Sequence, residues 1–137
     1  MIAPSLVLKE ILIDEGVFAE HTGSWPLFVS SLPDMDNAGV LYDTAGTAVN
    51  RDLTTGEYAF AHGFQLKVQA GDYSAGYSKA CTALQYLESV KWKEVVIDKE
   101  TILINSVTLT SPILFIGHSQ DKRRLNMFTL NGLVRFL

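Results

Sequence analysis

From Tyr58 to Ala70 the even positions Phe60, Phe64, Leu66, Val68 and Ala70 are apolar, while Gln65, Lys67 and Gln69 are polar. Successive side chains of a strand point to opposite faces, so this period of two predicts a half-buried β-strand. Two residues later Asp72 can cap a helix. Tyr73, Tyr77, Ala80, Cys81, Leu84, Leu87 and Val90 then recur three or four apart, which predicts an amphipathic helix over about 73–91. A strong strand running into the main helix anchors the rest of the chain.

Upstream, Leu8, Ile11 and Leu12 fall at helical spacing between Pro4 and Gly16, where Pro suits a first turn and Gly a C-terminal cap, so a short helix is expected. Residues 27–32 read as a strand ending at Pro33-Asp34, and 39–43 as a second short strand. Gly46, Asn50, Asp52, Thr54, Thr55 and Gly56 crowd the stretch 44–57, which reads as a long loop. After the main helix, strands are expected at 94–97, 101–110, 113–117 and 125–137, the last with Phe128, Leu130, Val134 and Phe136 in alternation. The order of helix, strands, helix and strands predicts an α+β fold: a single mixed or antiparallel β-sheet with two helices packed on one face. At 137 residues, one domain spanning 1–137 is expected.

Hydrophobic residues make up 47% of the chain and charged residues 19%, which is low for a soluble domain and predicts apolar surface reserved for a partner. The net charge of -4 argues against a dedicated nucleic-acid binder, which needs a basic face. Cys81 has no second thiol for a disulfide and no metal-ligand spacing, so folding in a reducing cytoplasm is expected. The opening Met-Ile-Ala-Pro-Ser lacks the basic head of a signal peptide, and no apolar run approaches the roughly 18 residues that span a bilayer. No membrane partner is expected.

The most distinctive segment runs from Trp25-Pro26-Leu27-Phe28-Val29 through Pro33-Asp34-Met35-Asp36-Asn37 to Tyr42-Asp43-Thr44-Ala45-Gly46. Trp25 is a large anchor, Pro26 stiffens the strand entry, and Asp and Asn bond their own backbone in turns, so turn chemistry accounts for these residues as fold-forming. The segment resembles one found in bacteriophage tail terminator proteins, often labelled minor capsid proteins. The match covers about residues 25–46, with a turn at 34–37 one residue tighter than the family form. The resemblance implies a non-enzymatic virion protein that needs no cofactor. It further implies a hexameric ring that caps the tail tube, ends its polymerisation and offers the head connector a docking surface. Its place would be the head-proximal end of the tail in the virion, reached from the host cytoplasm, with the tail tube protein and a head-completion protein as partners. Six copies at -4 carry about -24, which lets genomic DNA pass the lumen without specific binding. Another neck or head-tail connector subunit would share small α+β domains and ring symmetry.

Some of these residues also suggest enzymatic chemistry. Asp34, Asp36 and Asp43 could gather a divalent cation. Pro33-Asp34 followed by Gln65-Leu66-Lys67 is a near miss of a metal-dependent nuclease pattern, but Gln65 stands where a second carboxylate is needed and Lys67 should face away from the core. Cys81 is expected on the apolar helix face, His62 shares strand parity with Phe60 and Phe64, and His21 and His118 fall in turns. No serine sits in a nucleophile elbow. The basic run Lys122-Arg123-Arg124 is expected at a solvated hairpin tip. In a ring, Arg123 and Arg124 could meet acidic residues of a neighbour's 44–57 loop, which holds Arg51, Asp52 and Glu57.

Overall fold

The computed structural model describes residues 2–20, 23–31, 35–51 and 58–137, and for 48–51 and 58–60 the backbone alone. The element order is α1 (Pro4–Asp14), β1 (Leu27–Val29), β2 (Ala38–Arg51), β3 (Tyr58–Ala70), α2 (Tyr73–Ser89), β4 (Lys91–Ile97), β5 (Glu100–Leu109), β6 (Leu114–His118) and β7 (Asn126–Phe136). The strands make one mixed sheet in the order β1-β2-β3-β7-β5-β4, with β6 also on β7. Among the described strands only β1 is parallel to its neighbour; the other pairings are antiparallel. The architecture is α+β, as the alternation of patterns predicts.

The period-two strand explains where the core lies. Phe64, Leu66 and Val68 are fully buried, and they cluster with Phe128, Leu130 and Val134 of β7, with Val7, Leu8, Ile11 and Leu12 of α1, and with Ala80, Ala83 and Leu87 of α2. On the opposite face Gln65 donates to the Asn131 side chain (3.2 Å), and the Lys67 ammonium lies 5.8 Å from the Tyr42 ring. The C-terminal strand is held on both sides, by β3 along one edge and by β5 and β6 along the other.

Both helix starts follow local chemistry. Asp72 caps α2 through a bond from the Ala75 N–H (2.9 Å), and Pro4 sits in the first turn of α1, where its missing N–H costs nothing. Gly16 closes α1 at φ 81°, in the left-handed region that glycine adopts without strain.

Four expectations need correction. Residues 44–51 are not loop: β2 continues to Arg51 and forms a long ribbon with β3, while 52–57 lie outside the described residues. The turn-forming residues are absorbed by register shifts between Thr44 and Thr47 and between Ala48 and Asn50, because a bulge accommodates what a regular ladder does not. At the first shift the strands approach so closely that a Cβ on Gly46 would strike the Ala61 carbonyl oxygen. Strand β1 stops at Val29 rather than 32, since Ser30 turns to φ 63° and its N–H bonds the Leu41 carbonyl (2.9 Å). The buried face of α2 is Gly76, Ala80, Ala83 and Leu87, rotated from the expected one; Tyr73 and Tyr77 are exposed and Cys81 is half-buried. The helix lies too near the sheet for large residues, for a Cβ on Gly76 would meet the Phe128 ring at 2.8 Å. Finally, α2 ends at Ser89 and β4 already begins at Lys91.

Candidate functional site

The distinctive segment is used to build the fold. Pro26 is buried, its carbonyl accepts from the Gly39 N–H (2.9 Å), and Ala19 and Pro26 bridge the chain that precedes β1. Phe28 pairs with Val40 in the β1–β2 register and is half-buried. Trp25 packs against the core at φ 57°, with its ring 5.3 Å from the Lys79 ammonium. Lys79 reaches across from α2 to donate to the Val17 carbonyl (2.8 Å) and lies 5.6 Å from the Phe18 ring. Burial pushes the Lys79 ammonium below the ordinary lysine range. Sequence reasoning missed Lys79, because the contact joins residues more than fifty positions apart.

The rest of the segment is also occupied. The Asn37 side chain accepts from the Gly71 N–H (3.1 Å), just before α2 begins. Asp43 accepts from both the Ser5 N–H (3.0 Å) and the Ser5 hydroxyl (2.9 Å), so it caps α1, whose own N-cap residue Ala3 has no side chain able to do so. Tyr42 and Thr44 flank it in β2, opposite Gln65 and Gly63. Pro33 and Asp34 lie outside the described residues, as do His21, Asp52 and Glu57, and Arg51 is described by its backbone alone.

Asp36 and Asp43 serve different partners, the first facing Arg123 and the second Ser5. Among the described residues no group of three His, Cys, Asp or Glu side chains could hold a metal ion. Gln65 and Lys67 of the near-miss nuclease pattern have Asn131 and Tyr42 beside them. His62 is half-buried with its ring 5.5 Å from Phe136, and His118 stands exposed at the end of β6, 5.6 Å from the Phe115 ring. No described helix is long and apolar enough to cross a membrane.

The basic run does sit in the turn between β6 and β7. Asp121 organises it, accepting from the Ser119 hydroxyl (2.8 Å), from the Arg123 N–H (3.1 Å), and from the Arg123 guanidinium (3.1 and 2.8 Å). The Arg123 side chain, followed by the Ser119 hydroxyl, holds the Asp121 carboxyl below the usual carboxylate range. Arg123 also lies 3.5 Å from Asp36, so much of its bonding capacity is spent within the chain, whereas Lys122 and Arg124 are exposed.

Two surfaces stand out beyond the residues singled out by sequence. Leu114, Phe115 and Ile116 of β6 are all exposed, next to the exposed rings of Tyr73 and Tyr77; Tyr73 lies 5.2 Å from Phe115. At the far end of α2, a cleft of about 410 Å³ is lined by Glu15, Tyr86, Ser89, Val90, Lys91, Trp92, Lys93 and Glu94. Trp92 is 64% exposed and holds φ 50°, a conformation that costs a bulky residue about 1–2 kcal/mol. The Tyr86 hydroxyl is shielded from solvent and has no hydrogen-bond partner among the described residues. Burial raises its phenol above the ordinary range, and the carboxylates of Glu15 and Asp14 raise it further.

No family model matches the chain. No curated protein matches it either. Among solved structures, the chain resembles one from the "Virion of native gene transfer agent (GTA) particle", with a TM-score of 0.50 and 9% sequence identity. The likeness covers 80% of this chain and 77% of the other, and at that identity it establishes a common fold.

Proposed function

We propose that this chain is a one-domain, non-enzymatic structural subunit of a phage-like virion, a tail terminator that works as one member of a closed ring. The observation that carries the reading is the fold it shares, over most of both chains, with a component of a gene transfer agent virion. The distinctive segment supports it: Trp25, Pro26, Asn37, Asp43 and Gly46 serve packing, turns and a helix cap rather than reaction chemistry. Exposed apolar groups on β6 and β4, which include Ile116, Trp92 and Val96, supply surface for neighbours to cover.

Capping is steric. One face of a hexameric ring matches the last ring of the tail tube, the other receives the head-completion protein, and further tube subunits then lack a docking surface. The acidic chain lets DNA pass the lumen without condensing on it. Adding the protein to polymerising tail tube protein tests this. Tubes should stop growing and carry a ring at one end in electron micrographs; unaltered growth with bare ends contradicts the terminator role. Rings that bind the connector and ignore the tube would instead identify another neck subunit.

A further inference from the structure

The Tyr86 cleft and the basic turn lie at opposite ends of the subunit. The cleft sits where α2 ends and β4 begins, whereas the turn of 119–124 adjoins the start of α2, because Asn126 next to it donates to the Ala70 and Gly71 carbonyls. A helix of 17 residues separates them, about 25 Å at 1.5 Å per residue. The two features cannot meet within one chain, and a head-to-tail arrangement of copies brings such ends together.

Their chemistry is complementary. The cleft has an exposed indole at Trp92 and carboxylates at Glu15 and Glu94. Lys91 and Lys93 stand on the β4 side, so the negative field is strongest on the α1 side, where Asp14 and Glu15 act on Tyr86. An aromatic side chain beside a carboxylate suits a guanidinium, which stacks on rings and presents several donors in one plane. Arg124 is exposed at the opposite end, beside Arg123, which Asp121 and Asp36 engage.

We propose that the cleft receives a basic side chain from the 119–124 turn of a second copy of this chain, with Arg124 as the inserted residue. The proposal rests on the ring reading and specifies one of the ring's repeated contacts. It covers Trp92 and makes the turn that Asp121 shapes a docking element.

Charge exchange between copies tests it. Glu15→Arg and Arg124→Glu, each alone, should raise the concentration needed for ring assembly by at least about tenfold, read by light scattering and electron microscopy. An equimolar mixture of the two variants should restore assembly, because each then offers the other a matching end; this outcome also shows that both fold. Either variant assembling alone at the wild-type concentration overturns the contact and leaves the ring reading standing. Loss of assembly that the mixture does not restore also overturns the contact. A wild-type chain that never assembles overturns both.

Discussion

Asp43 of β2 grips Ser5 at the start of α1 with both carboxylate oxygens, one on the backbone N–H (3.0 Å) and one on the hydroxyl (2.9 Å). Ser5 is fully buried, so no water replaces those acceptors when they are lost. Asp43→Ala is therefore expected to destabilise the fold by about 1–3 kcal/mol in urea denaturation, and Asp43→Asn by less, because the amide keeps one acceptor.

Gly46 is needed where β2 and β3 close up at the Thr44–Thr47 shift. Gly46→Val should cost about 3 kcal/mol and lower the thermal midpoint by about 10 °C, since backbone rather than a flexible side chain lies in the way. A melting curve that superposes on the wild type would show that the ribbon opens at this point without penalty.

The Asp121 turn sets a pH dependence. Its carboxyl is held below its ordinary value of 3.8 chiefly by the Arg123 side chain, so its stabilising contribution is present above that value and is lost as the pH falls through the lower folded value. Titrating the Asp121 carboxyl by NMR should place its midpoint below 3.8, and Arg123→Ala should move it upward. In Asp121→Asn this part of the acid sensitivity should vanish.

Tyr86→Phe should not destabilise the subunit. The hydroxyl is shielded and without a partner, so removing it leaves the isolated subunit unchanged or up to about 1 kcal/mol more stable. Calorimetry of the dilute subunit checks this, and a loss of more than about 1 kcal/mol would contradict it.

Sequence reasoning reads some elements more accurately than others, for physical reasons. The strand 58–70 and the cap at Asp72 are legible because their signals are local: a period of two, and a carboxylate three residues before the N–H it binds. The extension of β2 to Arg51 is not legible, because a bulged ribbon tolerates the glycines and polar residues that also mark loops. The buried face of α2 is misread because hydrophobicity favours Tyr73 and Tyr77, while the space beside Phe128 admits only small residues. The fold-building role of the distinctive segment is apparent from its turn chemistry. The partners of Asp43 and Trp25, namely Ser5 and Lys79, depend on long-range packing that no spacing encodes. The Tyr86 cleft is likewise hidden, since it joins the ends of two helices with the start of a strand.

In the proposed ring, identical copies complete this subunit. Cryo-electron microscopy of the purified protein with tail tube protein should show closed rings seated on tube ends, with the 119–124 turn of each subunit against the Tyr86 cleft of the next. Single subunits that neither associate nor occupy tube ends at any concentration would contradict it.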